Sequence, residues 1–266
     1  MGARFVAVGE VMLDISTEAI VPGERRHAPV RVRAGGSPVT AALSAAHEGV
    51  TSGVVGCVGA DAAGRAVRAD LESAGLEARL DVDDDLPTGT FLEADGGRTV
   101  VADRGANARL RLPDGDIRAE AALVSGYFLF NEAPDDTLGR LRADWLAVDA
   151  GSARLVEKLG GEEALRRMTG ANALFADDEE ARALGSPDEL AERFRLVCVK
   201  RGAAGATATL DGVRATAEPP EKVATIRSGA GDAFAGALLA SLLLGRELPD
   251  ALARACAAGA RIASGG

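Results

Sequence analysis

Between Val223 and Gly245 the chain reads VATIRSGAGDAFAGALLASLLLG, and this stretch constrains everything that surrounds it. A short β-branched run leads through Ser228-Gly229-Ala230-Gly231 into an uninterrupted helix-forming sequence from Asp232 to Leu244, closed by Gly245 as a C-cap. Helix N-termini leave backbone N–H groups unpaired and carry about half a positive charge. A turn without bulky side chains there lets an anion approach the backbone closely. Asp232 stands at the mouth of that anion site. As a mere ligand it would oppose a phosphate, whereas as a base it can take the proton of a hydroxyl attacking phosphorus. The plainer reading is a capping residue beside glycines that only permit tight packing, and the four residues alone leave both open. No Lys-Ser/Thr follows the glycines, so this is no Walker A loop, and their spacing is not the GxGxxG of a dinucleotide fold.

The rest of the chain alternates. Apolar runs at residues 5–8, 54–58, 122–125, 145–148, 171–175 and 196–200 read as buried strands, and helical patterns fall at 37–48, 61–74, 136–141, 152–168, 188–194 and 249–262. Strands alternating with helices predict an α/β fold with a mostly parallel sheet covered on both faces. Two segments differ in texture. Val30 and Val32 alternate with Arg31 and Arg33, and residues 88–104 form a hairpin pattern around Asp95-Gly96-Gly97; together they predict a small β lid, with unrelated surface hairpins as the simpler option. A hairpin is also expected around Asp211-Gly212. The 266 residues, 47% hydrophobic, suffice for one α/β domain, and a net charge of −10 argues against nucleic acid or anionic membrane as the main partner. Cys57, Cys198 and Cys256 are odd in number and sit in apolar contexts, reading as reduced core residues of a cytoplasmic protein. No apolar leader or membrane-length segment is evident.

Chemistry-bearing residues collect where parallel strands end. Asp14 follows the first strand and is placed to accept hydrogen bonds from substrate hydroxyls, and Gly35-Gly36 precede a helix where backbone can approach a small ligand. Arg104 carries a fork suited to a carboxylate or phosphate, or else a salt bridge on the lid rim. The acidic run Asp177-Asp178-Glu179-Glu180 either holds magnesium through its water shell or starts a solvated helix. Lys200-Arg201-Gly202-Ala203-Ala204-Gly205 forms a glycine turn after an apolar strand. His27 and His47 suggest no metal pair.

The glycine-rich stretch resembles the C-terminal signature of the PfkB/ribokinase family of sugar kinases, Asp-Thr-x-Gly-Ala-Gly-Asp before an apolar helix: Gly229, Ala230, Gly231 and Asp232 match, and Ile226-Arg227 replace Asp-Thr. Residues 34–64 resemble the family's N-terminal signature, with Thr40 at the position of a sugar-binding Asn; Gly105-Ala106-Asn107 resembles the return from lid to core. Asp177 and Glu180 match an Asn-x-x-Glu element with Asp for Asn, Glu132 aligns with an acid near substrate and metal, and the Gly202 to Gly205 turn matches the nucleotide side. The resemblance spans nearly the whole chain and implies a ribokinase-like three-layer sandwich, residues 1–266 as one kinase domain, with lid segments at about 11–34 and 86–104. It implies ATP and Mg2+, with Asp232 as base and the amides of Gly229, Ala230 and Gly231 as anion hole. Asp14, Gly35, Gly36, Thr40, Arg104, Asn107 and Glu132 would lie about a small sugar or sugar-like acceptor. Lys200, Gly202, Gly205, Arg227, Ala257 and Ala258 would lie about the nucleotide, and Asp177 and Glu180 about the metal. In that family the acid replaced by Ile226 helps hold a monovalent cation, so this site is expected to be absent or weak, with Arg227 supplying charge or pointing to solvent. The departures at Thr40, Asp177 and Ile226-Arg227 keep open a binding homologue without turnover, and a nucleoside acceptor is a further option. Gly9-Glu10 leans towards fructokinases and ketodeoxygluconate kinases, Arg104 to Asn107 towards ribokinase, so the sugar stays open. An open lid sheet invites pairing with a second copy, and a homodimer through the lid is expected.

Overall fold

The computed structural model describes residues 2–265 apart from 19, 22, 26, 98, 132, 135 and 221–226, so Glu132 and Ile226 lie outside the described residues. In chain order the strands and helices are β1 (Phe5–Val8), β2 (Met12–Thr17), β3 (Val30–Gly35), α1 (Ser37–His47), β4 (Ser52–Gly59), α2 (Ala62–Ser73), β5 (Glu77–Asp83), β6 (Thr90–Ala94) and β7 (Thr99–Asp103). There follow β8 (Ile117–Arg118), β9 (Ala121–Ser125), α3 (Gly126–Leu129), β10 (Leu141–Arg142), β11 (Trp145–Asp149), α4 (Ala153–Leu159), α5 (Gly161–Arg167), β12 (Ala173–Asp177), α6 (Asp178–Leu184) and α7 (Pro187–Arg193). The chain closes with β13 (Leu196–Lys200), β14 (Ala206–Leu210), β15 (Val213–Ala217), α8 (Ala230–Leu243) and α9 (Leu248–Ala263).

Nine strands form one sheet in the order β15-β14-β13-β12-β11-β9-β1-β4-β5, parallel except for the antiparallel β14 and β15 at one edge. Strand side chains alternate in direction, and here both directions are apolar. Phe5 and Ala7 join Phe175, Phe234, Leu238 and Leu252 in one buried cluster, beneath α1, α8 and α9. Val6 and Val8 join Phe128, Val156, Leu174 and Leu190 in the other, beneath α3 to α7. A separate four-stranded sheet, β3-β2-β6-β7, is built from the two lid segments. The expected α/β sandwich with a mostly parallel sheet and a second small sheet is what the chain forms.

Local departures have local causes. β5 was not expected, because Glu-Ala-Arg-Leu-Asp-Val-Asp lacks a continuous apolar run; it is an edge strand beside β4. The helix expected at 136–141 is a 3-10 turn at Leu138–Arg140 running into β10. The helix expected at 152–168 breaks at Gly160, whose φ of 91° ends α4 and starts α5. Cys57, Cys198 and Cys256 are free and buried.

Candidate active site

α8 starts at Gly229, whose φ of 90° suits glycine and whose missing Cβ would lie 3.3 Å from Thr40 Cγ2 in α1 and 3.8 Å from Ile262 Cγ2 in α9. The first helical bond runs from Ala233 N–H to Gly229 O at 2.9 Å, so the amides of Ala230, Gly231 and Asp232 have no acceptor within the helix. The ammonium of Lys200, at the end of β13, lies 3.2 Å from where a Gly231 Cβ would be. A positive group and a helix N-terminus therefore flank the same turn, a combination that suits an anion.

Lys200 Nζ donates to Asp149 Oδ2 at 2.6 Å, with the two side chains 16% and 9% exposed. Burial alone would lower the lysine's pKa, but Asp149, Glu180 and Asp232 together hold it above the ordinary value. Desolvation and the charge of Asp149 push Asp232 up to about 6, against Lys200 and a hydrogen bond with Ser37, the first residue of α1. Glu180 rises to about 7, through burial and then Asp149, with Lys200 and the Asp177 amide opposing. Three carboxylates and one ammonium thus share a floor at the carboxyl ends of β11 and β13, where ligands of parallel sheets bind. Sequence reasoning missed Asp149 and Ser37, although Asp149 ends the apolar strand Trp-Leu-Ala-Val-Asp just as Asp177 ends its own.

Across from this floor, Asp14 on β2 rises to about 6 through burial, with Glu93 and Asp232 adding and Arg33 opposing. Its Oδ1 is buried without a hydrogen-bond partner. Both glycines at 35 and 36 are required by close approach. A Cβ on Gly35 would sit 2.0 Å from the Asp14 carboxyl, and one on Gly36, where φ is 95°, would sit 2.0 Å from Glu10 O. Arg104 is ion-paired with Glu10, itself 9% exposed, which matches the salt-bridge reading and ties the end of the lid to the loop after β1. Tyr127, at the start of α3, is pushed up to about 12 by burial and then by Asp232, Glu180, Asp149 and Glu10.

Two expectations need correction, those for Asn107 and for Ala257 with Ala258. Asn107 is 1% exposed; its Oδ1 accepts from Val11 N–H at 2.9 Å, and its amide donates to Val11 O and Arg104 O at 2.9 and 3.0 Å. Both amide hydrogens are engaged with backbone, so Asn107 staples the lid root and does not face an acceptor. Ala257 and Ala258 do not line the cleft beside the glycine turn. The face of α9 that does so carries Cys256, Gly259, Ala260 and Ala263, while Ala258 is core, a phase error of about one residue on a helix. Arg227 has its guanidinium beside Gly265, with Nη1 2.8 Å from where that residue's Cβ would be, just past the end of α9 whose Ile262 packs against Gly229.

The cleft is bounded by Lys200, Gly202 and Gly205 on one side and by Gly231, Phe234 and α9 on the other, a mostly apolar slot ending at the anion turn. Asp177 caps α6, accepting from Glu179 and Glu180 N–H at 2.8 and 2.7 Å, while Glu180 Oε2 accepts from Asp177 N–H at 2.8 Å. The acidic run is therefore a capping box as well as a candidate metal neighbour. Among the described residues no three His, Cys, Asp or Glu side chains gather as a metal cluster. No helix among them is long and apolar enough to cross a membrane.

A family model described as "pfkB family carbohydrate kinase" matches residues 3–265. The chain belongs to that family. This carbohydrate kinase is 27% identical over 269 residues to the "ATP-dependent ribose-1-phosphate kinase" of Halopiger xanaduensis, across 97% of this chain and 90% of the relative. Solved structures share its ribokinase-like fold. A putative ribokinase II from E. coli, in complex with ATP and Mg2+, superposes with a TM-score of 0.78 at 21% identity, over 98% of this chain and 93% of that one. A nucleoside kinase from Methanocaldococcus jannaschii, described as an archaeal member of the ribokinase family, gives 0.78 at 18%, over 99% and 93%. The kinase is accordingly a phosphotransferase acting on a hydroxyl group.

Proposed function

We propose that this kinase transfers the γ-phosphate of ATP to a hydroxymethyl group of a small sugar or sugar-like acceptor held between floor and lid. The observation that carries the reading is Asp232, with a pKa near 6, in the first turn of a helix that opens on unpaired amides. A carboxylate of that basicity is largely ionised at neutral pH, yet takes a proton more readily than an exposed one. It removes the proton of the attacking hydroxyl as the new oxygen–phosphorus bond forms and the bond from the γ-phosphorus to the bridging oxygen breaks, with ADP as the leaving group. The amides of Gly229, Ala230 and Gly231, the last two without an acceptor in the helix, would face the charge that moves onto the phosphate oxygens, with Lys200 beside Gly231. Asp14 Oδ1, buried and unpartnered, supplies an acceptor for another hydroxyl of the sugar, with Gly35, Gly36 and Thr40 shaping the space beneath it.

Nucleotide would occupy the cleft between the Gly202 to Gly205 turn and α9, with adenine against its apolar walls. The buried, raised carboxylate of Glu180, near Asp149 and capped by Asp177, fits magnesium bound through water, since the ion prefers oxygen ligands and keeps much of its hydration. Magnesium would neutralise the triphosphate.

The outer face of the lid carries Val30, Val32 and Val101 at 59, 56 and 60% exposure, and a second copy packed there would cover them. The expected homodimer is abandoned if light scattering shows only monomer at high concentration.

A coupled ADP-release assay over ribose, fructose, ketodeoxygluconate, ribose 1-phosphate and nucleosides tests the reading. Acceptor-dependent ADP release is expected with at least one compound. ATP and acceptor binding without release would instead establish a binding homologue.

A further inference from the structure

The lid face that bears Asp14 also bears two arginines. In the antiparallel pair β2–β3, Asp14 stands opposite Arg33 and Ser16 opposite Arg31, and opposed residues project from the same side of a sheet. The neighbouring β6 adds Phe91 and Glu93 to that side, opposite Asp14 and Ser16. Asp14 marks it as the inward side of the lid, since its Oδ1 is buried and its carboxyl lies 2.0 Å from where a Gly35 Cβ would stand, and the charge of Asp232 reaches it there. Among the described residues, neither Arg31 nor Arg33 makes a side-chain hydrogen bond or an ion pair, although Arg33 lies close enough to Asp14 to lower its pKa. Most other arginines near the lid are committed: Arg104 to Glu10, Arg109 to Asp83 and Asp85.

Resting on the kinase reading above, we propose that Arg31 and Arg33 form a subsite for a phosphomonoester already present on the acceptor, so that the substrate is a sugar phosphate and the product a bisphosphate. The charge balance of the site motivates this. An acceptor sits among Asp14, Glu10, Asp232 and Asp149 in a protein of net charge −10, surroundings that repel a dianion unless cations meet it locally. Lys200 is bound to Asp149 and turned to the glycine turn, on the nucleotide side, so it does not serve the distal end of the acceptor. Residues i and i+2 of a strand lie roughly 7 Å apart on one face, a spacing at which two guanidinium forks flank a single phosphate. Both residues are exposed, Arg33 opposite Asp14 and Arg31 two residues further from the root of the lid, so the phosphate they would hold lies at the open edge of the site, away from the hydroxyl at Asp232.

The test is steady-state kinetics of the full chain with ribose 1-phosphate and with ribose, for the wild type, the double variant Arg31→Ala/Arg33→Ala, and Arg33→Lys. With wild type, kcat/KM is expected to favour the phosphorylated sugar. In the double variant its KM should rise at least about 10-fold, the scale of one or two lost charge-assisted bonds, while kcat and the KM for ATP stay nearly constant. Arg33→Lys should recover part of the loss, as a point charge without the fork. An unchanged KM overturns the subsite. Equal losses for ribose and ribose 1-phosphate also overturn it, showing that the arginines only order Asp14. Turnover of neutral sugars with none of any sugar phosphate removes the subsite and leaves the kinase reading standing. If no acceptor is turned over, the kinase reading falls, and thermal shift by ribose 1-phosphate decides the subsite separately: a shift abolished in the double variant upholds it, and no shift in wild type ends it.

Discussion

The floor and the lid of this site are built on opposite principles. On the floor every charge has a partner or a close neighbour within the protein: Lys200 with Asp149, Asp232 with Ser37 and Lys200, Glu180 with the Asp177 amide. On the lid, Asp14 keeps an unpartnered oxygen, and among the described residues Arg31 and Arg33 project without ion pairs. Charges settled among themselves hold a fixed geometry and fixed pKa values, which a proton transfer requires. Charges left unsettled wait for a ligand. If the proposed function holds, the lid can change its residues, and with them the acceptor, at little cost to the core, whereas the floor cannot.

The largest effect expected of this contrast is at Asp232. Asp232→Asn should keep fold and ATP affinity and lower kcat by about 10²- to 10⁴-fold, the usual range for a general base; near-normal turnover in the ADP assay would sink the assigned role. Next comes the floor's internal pairing. Lys200→Met leaves Asp149 and Asp232 without their cation. Urea titration should show a loss of about 3 kcal/mol, the scale of a broken buried pair, and the acid limb of kcat/KM, near pH 6 in wild type, should move upward. A limb that stays in place would separate Lys200 from the base.

The lid gives a smaller effect of opposite sign. Asp14 has a folded pKa of about 6, above its unfolded value, so folding favours its neutral form and that contribution is lost as pH rises through 6. Asp14→Asn should therefore raise stability by about 1–2 kcal/mol at pH 8 and confer no gain near pH 4, even as it weakens acceptor binding. Equal melting temperatures at pH 8 would mean that Asp14 is solvated rather than poised. The smallest expected effect is an absence: Ile226 has no side-chain oxygen to offer a monovalent cation, so turnover should be indifferent to potassium. Strong potassium activation, with no effect of Arg227→Thr, would show that the guanidinium has no part in the electrostatics of the turn.

Much of this was legible because buried parallel strands leave a plain trace. Phe-Val-Ala-Val and Leu-Val-Cys-Val-Lys announce themselves, and the carboxyl end of a strand is where chemistry is sought, which found Asp14 and Lys200 and would have found Asp149. β5 was hidden because an edge strand needs only one apolar side, and the split at Gly160 because a pattern of helical residues does not reveal one left-handed φ in its midst. Asn107 was misjudged for another reason. An amide that could bind a sugar binds peptide groups equally well, and only the fold decides which of them it meets.

Gly236 lies a full turn beyond Asp232 and is buried, and a Cβ there would meet Ala41 O at 2.1 Å, so α8 and α1 lie in backbone contact at that point. Those are the two helices whose first turns carry Asp232, the proposed base, and its Ser37 partner. The missing methyl group thus acts as a gauge block, fixing from a distance how far apart the two halves of the floor are set. A chemist mapping ligand contacts would pass over it, although widening that gap would put the reacting groups out of alignment while leaving every one of them in place.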